Sequence, residues 1–238
     1  MINTILFDLD GTLLPFFQDD FLKAYFGGLC KHMAPFGYAP DESTKAIWHG
    51  SKAMIKNDGT VTNDVRFWDG FAEILGDGVR ALKDPLDAYY NGEYDAIKAV
   101  LREETPAKAI VDALRQKGYT LVLATNPLFP RIAQEKRMSW AGLSVSDFAL
   151  VTDYENSCFC KPNLAYYEEV LQKIGKTPEE CMMVGNSVGE DMVAEQLGMD
   201  VYLVTGYVEN PKNLPIDGYK QGSFADFAAF VETLPTVE

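Results

Sequence analysis

Asp8 and Asp10 stand two positions apart where the apolar run Ile5-Leu6-Phe7 ends, and Gly11-Thr12 follows them directly. Side chains along a strand alternate with a period of two, so the two carboxylates would share one face if the strand continued. Gly11 predicts that it stops, because glycine admits the sharp, positive-φ turns that other residues avoid. Two carboxylates at a strand tip can divide the work of moving a phosphoryl group. One attacks phosphorus and carries the group covalently, splitting a hard hydrolysis into two easier displacements. The other protonates the leaving alcohol and later takes a proton from water. Asp8 suits the first task and Asp10 the second. Aspartates also cap turns and helix starts. Asp-x-Asp-Gly opens calcium loops too, but the downstream acidic positions of an EF-hand are missing here.

A strand tip needs neighbours to complete a site, and the chain supplies them in αβ units. From Thr105 onward helical patterns alternate with short apolar runs, which predicts a parallel sheet covered on both faces. Thr105-Pro106 reads as an N-cap with an N1 proline, Ile110, Val111 and Leu114 as an apolar stripe, and Gly118 as the C-terminal stop. Strands are expected at residues 2–8, 119–124, 148–152, 181–185 and 201–205, with helices at 162–174 and 187–197. Residues 16 to about 98 differ. Phe21, Leu22, Tyr25, Phe26, Leu29, Cys30 and Met33 fall on one helical face, and helical spacing recurs around 47–55 and 65–75. No period-two strand interrupts them, so an all-helical insert is expected. Its aromatics, Trp48, Phe67, Trp68, Tyr89 and Tyr90, read as core.

Three further patterns lie at expected strand or helix ends. Leu121-Val122-Leu123-Ala124 delivers Thr125 at the carboxyl edge, where open α/β sheets hold ligands. Its hydroxyl and the backbone amide of Asn126 can donate to phosphate oxygens. Lys161-Pro162 opens a helix carrying Tyr166, Val170, Leu171 and Ile174. A lysine aimed into a carboxylate cluster can hold a nucleophile ionised and neutralise transition-state charge. Val184-Gly185-Asn186-Ser187-Val188-Gly189-Glu190-Asp191 follows an apolar run. Ser187-x-x-Glu190 reads as a capping box, and Asp191, about 100 degrees further round the helix, points elsewhere.

Asp8-Leu9-Asp10-Gly11-Thr12-Leu13 after Ile5-Leu6-Phe7 resembles motif I of the haloacid dehalogenase-like (HAD) superfamily, mostly Mg-dependent phosphatases that work through an aspartyl-phosphate. Thr125, Lys161-Pro162 and Gly185-Asn186 with Asp191 are similar to its motifs II, III and IV. The resemblance implies an α/β, Rossmann-like parallel sheet core with helices on both faces, residues 1–15 and 99–238, and an inserted all-helical cap domain, residues 16–98. It implies Asp8, Asp10, Thr125 and Lys161 as catalytic residues. Asp8, Thr125, Asn126 and Lys161 would bind phosphate. Mg2+ would lie on Asp8, the Asp10 backbone carbonyl and Asp191. Asn186 stands where the family carries an aspartate ligand; an amide oxygen coordinates Mg but brings no full charge. Asp10 argues against the dehalogenase branch, because a halide leaving group needs no proton. The expected activity is hydrolysis of a small phosphorylated metabolite. A phosphoglucomutase-like phosphotransferase and a catalytically weak phosphate-binding or regulatory protein are the alternatives.

Composition bounds the partners. The 238 residues are 47% hydrophobic and 12% aromatic, enough for a buried core. Lys plus Arg total 21 against 35 Asp plus Glu, a formal charge of -14, which argues against nucleic acid. An anionic substrate is repelled by such a field and needs a metal and local cations. Neither a leader-like opening nor a run of about 18 apolar residues appears, so a cytoplasmic location and no membrane partner are expected. Cys30, Cys158, Cys160 and Cys181 form no C-x-x-C pair and read as reduced thiols. With only His32 and His49, a histidine metal site or a Ser-His-Asp triad has little support.

Overall fold

The computed structural model describes residues 1–237. Six parallel strands form one sheet: β1 (Thr4–Phe7), β2 (Thr120–Leu123), β3 (Leu150–Val151), β4 (Cys181–Gly185), β5 (Asp200–Val204) and β6 (Lys220–Gly222). Their order is β3-β2-β1-β4-β5-β6, which puts β1 inside the sheet between β2 and β4. Strands that helices cover on both sides must be apolar throughout rather than alternating. β1 obeys: Ile5 and Phe7 enter one buried cluster and Leu6 the other. The first cluster takes α5 (Ala107–Gln116) and α8 (Phe224–Thr233) through Ile110, Val111, Leu114, Phe227 and Val231. The second takes α7 (Leu164–Ile174) through Tyr166, Tyr167, Val170 and Leu171. The chain is thus α/β with a Rossmann-like core.

Four α-helices lie between β1 and α5: α1 (Gln18–Met33), α2 (Pro40–Ile55), α3 (Asn63–Leu75) and α4 (Lys83–Asn91). A 3-10 stretch, Glu93–Val100, leads back to the core. No strand interrupts this excursion among the described residues. Phe21, Tyr25, Leu29, Cys30 and Met33 of α1 are buried as their spacing predicts. The insert is tied to the loop after β2, where the Phe129 ring lies 5.8 Å from Phe21 and 5.1 Å from Tyr25. It is tied again at the start of α3, where Asn63 and Asp64 donate backbone N–H bonds to the Ser157 and Tyr154 carbonyls, both 2.8 Å.

Several expectations are corrected. β6 was not foreseen, because Lys220-Gln221-Gly222 is a polar edge strand with no apolar signal. Residues 187–197 are not an α-helix: a turn runs to Asp191, and Met192–Leu197 is 3-10. α5 begins at Ala107 with Pro106 as its N-cap, and Thr105 does not cap it; the Thr105 hydroxyl donates to the Leu13 carbonyl. α7 begins at Leu164, two residues after Pro162, because the Asn163 side chain accepts from the Ala165 amide and caps it. Trp48 is not core but 46% exposed, whereas Trp68, Tyr89 and Tyr90 are buried. The four cysteines are free thiols, and no described helix is long and apolar enough to cross a membrane.

Candidate active site

The strand ends gather the polar residues at one edge. Asp8 extends β1, its amide donating to the Val184 carbonyl of β4 at 2.9 Å. The chain then reverses: Gly11 takes φ of 77° and donates to the Leu14 carbonyl at 2.8 Å. A side chain at Gly11 would overlap the Asn186 amide, so the turn and the loop after β4 are packed against each other through the missing Cβ. Asp8, Asp10, Thr125, Asn126, Asn186 and Asp191 line a single cavity of about 100 Å³.

Lys161 lies behind two of these lining carboxylates, Asp8 and Asp191. The side chain is buried, and Nζ donates to Asp8 Oδ1 at 2.9 Å and to Asp191 Oδ1 at 2.6 Å. Desolvation opposes its charge, but Asp191 and Asp8 outweigh that and raise the lysine pKa well above its ordinary value. Burial pushes the Asp8 carboxyl well up; Lys161 pulls it down, while Asp191 and Asp10 push it further up. Asp191 is fixed by a second contact, Oδ2 accepting from the Ser187 amide at 2.9 Å. That contact takes the place expected for Glu190, which is not a capping residue. Glu190 turns instead to Asn126, whose Nδ2 donates to Oε2 at 3.0 Å.

Thr125 is buried, with its carbonyl accepting from the Thr152 hydroxyl at 2.6 Å and from Tyr166 at 3.0 Å. Those bonds fix the backbone and leave the Thr125 hydroxyl available to the cavity. Asn186 is held on both sides of its amide. Nδ2 donates to the Tyr207 carbonyl at 2.6 Å, and Oδ1 accepts from the Thr12 hydroxyl at 3.2 Å. Because a carbonyl can only accept, the Tyr207 contact fixes which end of the amide is nitrogen.

Two residues at the site escaped the sequence reading. Arg137, on α6 (Arg131–Trp140), is fully buried and donates through Nη1 to Asp10 Oδ2 and through Nη2 to Gln134 Oε1. Its guanidinium lies 4.3 Å from the centre of the Phe129 ring and 5.4 Å from that of Phe21. Burial raises the Asp10 pKa and Arg137 opposes the rise. Asp10 Oδ1 is buried with no hydrogen-bond partner. A signal for Arg137 existed: Ala133, Gln134, Arg137 and Met138 form the buried face of α6, so an uncompensated polar pair sits on a core stripe. Glu209 offered no signal. It lies in the loop after β5, paired by backbone bonds to Asn186 and Val188, and reaches the same cavity wall. Its carboxyl is pushed up to about 7 by burial and by Glu190, Asp191 and Asp10.

Five carboxyl groups, those of Asp8, Asp10, Glu190, Asp191 and Glu209, thus line one cavity, with two buried cations behind it: Lys161 paired to Asp8 and Asp191, and Arg137 paired to Asp10. Hard oxygen donors in excess of the buried cations beside them fit a dication such as Mg2+. No three acidic, cysteine or histidine residues among the described ones already stand as a ligand set. A bound cation would therefore draw these carboxylates inward.

A parallel sheet with its polar cluster outside the carboxyl ends of the strands is the architecture of an α/β enzyme. Residues 2–198 match the family model of haloacid dehalogenase-like hydrolases, and the chain belongs to that family. Over 213 residues it is 28% identical to a phosphoglycolate phosphatase of Agrobacterium fabrum, covering 87% of this chain and 82% of that one. It is 27% identical to a phosphoglycolate phosphatase of Aquifex aeolicus, covering 90% of each. The crystal structure of an HAD phosphatase from Thermococcus onnurineus superposes with a TM-score of 0.64 at 19% identity, covering 99% of this chain and 100% of that one, and shares its fold.

Proposed function

We propose that this hydrolase is a Mg-dependent phosphatase that removes phosphate from a small monoester through a phosphoryl group carried on Asp8. The observation that carries the reading is the division of labour between the two carboxylates. Lys161 occupies Asp8 Oδ1 and leaves Oδ2 to attack. Arg137 occupies Asp10 Oδ2 and leaves Oδ1 to exchange a proton.

In the first displacement a bond forms between Asp8 Oδ2 and phosphorus as the bond from phosphorus to the leaving oxygen breaks. Asp10 Oδ1 gives its proton to that oxygen. Burial raises the Asp10 pKa, the direction that favours its acid form. In the second displacement water attacks phosphorus, its proton passes to Asp10, and the Asp8 carboxylate is released. The Thr125 hydroxyl and the Asn126 backbone N–H donate to phosphoryl oxygens, and Lys161 neutralises charge on the attacking side. Mg2+, held by Asp8, the Asp10 carbonyl and Asp191 with the Asn186 amide oxygen beside them, would neutralise the charge excess that otherwise repels a phosphate dianion.

Phosphate release from an aryl phosphate tests the reading. Activity is expected with Mg2+, lost on chelation and lost in Asp8→Asn, an isosteric change to a poor nucleophile. Turnover that survives chelation, or a tenth of the kcat surviving in Asp8→Asn, would overturn it.

A further inference from the structure

A second cavity, of about 140 Å³, opens beside the first, between the helical insert and the loop after β2. Gln18, Leu128 and Phe129 line both, so the two cavities adjoin across the side chains of these three residues. The second cavity is walled by Phe26, Trp48, Phe67, Trp68 and Tyr90, and its apolar lining continues outward to the exposed side chains of Trp48 and Ile55. Its one cation, Lys83, has Asp87 one turn along the same helix on the same wall. Few of the lining residues are polar, Gln18, Ser51, Lys83 and Asp87 among them, so an anionic or polyhydroxylated group would give up its solvent there for few partners. A cavity of roughly 150 Å³ with an aliphatic and aromatic lining accepts a benzene-sized guest.

We propose that the substrate's leaving group is an uncharged apolar alcohol with a ring or branched chain of about benzene size, seated in this second cavity while its phosphate lies against Asp8. The inference rests on the phosphatase reading above and adds the substrate class. It separates this chain from enzymes acting on phosphoglycolate, whose leaving group carries a carboxylate and calls for a cation in its place. Phe129 supplies the shared wall and also faces the Arg137 guanidinium, so the apolar seat and the proton-transferring carboxylate adjoin.

Calorimetry with Mg2+ present and non-hydrolysable ligands tests the inference without turnover. Benzylphosphonate is expected to bind at least tenfold more tightly than phosphonoacetate. Ser51→Phe, which fills the cavity from a half-buried position, is expected to lower the affinity for benzylphosphonate relative to methylphosphonate at least tenfold. Phosphonoacetate binding as tightly as benzylphosphonate, or a benzyl-to-methyl ratio unmoved by Ser51→Phe, would overturn the substrate class and leave the phosphatase reading standing. If neither phosphonate binds and aryl phosphates are not turned over, the phosphatase reading falls and the inference with it.

Discussion

Arg137 bonds one oxygen of Asp10 and leaves the other without a partner, which in the proposed mechanism sets the task of that carboxylate. Replacing Arg137 with Met removes the charge that counters the burial of Asp10, so the Asp10 pKa rises further. Water activation needs Asp10 deprotonated, so the acid limb of the kcat profile is expected to move to higher pH, with kcat for an alkyl phosphate falling about 100-fold. Arg137→Lys, which keeps the charge but not the fork, is expected to restore part of both. A pH–rate profile identical to the parent's would remove Arg137 from this role. Asn186 carries a second expectation. An aspartate there would set a carboxylate oxygen against the Tyr207 carbonyl that now accepts from Nδ2. Asn186→Asp should lower stability by about 1–3 kcal/mol, read by urea unfolding. Unchanged stability would show that the tether is dispensable. At this scale the sequence exposed residues that announce themselves by local chemistry. Asp8, Asp10 and Thr125 sit at the ends of apolar runs, and Lys161 precedes a proline shortly before α7. The contacts of Asn186, Glu190 and Glu209 depend on how two loops meet, which no local pattern encodes.

Elements were legible where their period was strong and long. α1, α2 and α3 fall where apolar spacing placed helices, and β4 has the expected bounds. The segment after β4 misled because its apolar residues fit a helix, while Asp191 bonds the Ser187 amide and Lys161 and so bends the chain into a turn. Tertiary contacts there override local propensity. The reversal after β1 is held by the opposite device, a residue with no side chain. Gly11→Ala combines a positive φ with overlap onto the Asn186 amide, so it should cost more than about 1 kcal/mol and lower activity with it. Wild-type stability and activity in Gly11→Ala, measured by unfolding and phosphate release, would show that the two loops can part without consequence.

Across the whole molecule the formal charge of -14 and the buried carboxylates link stability to pH and metal. Glu209 titrates near 7 in the fold, against an ordinary 4.5. Between those values the folded chain keeps a proton that the unfolded chain has released, so stability falls as pH rises through this window. Asp8, Asp10 and Glu190 are raised in the same direction. The lowered carboxyls, Asp58, Asp95, Asp147, Glu179, Glu180 and Asp226, act in more acidic solution. Metal-free protein is therefore expected to melt at lower temperature at a pH of about 8 than at about 5, with Mg2+ raising Tm more at the higher pH, where the carboxylates are ionised. Equal Mg2+ stabilisation at both would contradict a carboxylate metal site. The central claim is that phosphate passes through Asp8. Acid-quenching the intact chain during turnover of an aryl phosphate and weighing it by mass spectrometry tests this most directly. The expected result is a species heavier by one phosphoryl group, located on the peptide containing Asp8, labile to mild base and absent from Asp8→Asn. Steady turnover with no phosphorylated chain at any quench time, or the same label in Asp8→Asn, would contradict it.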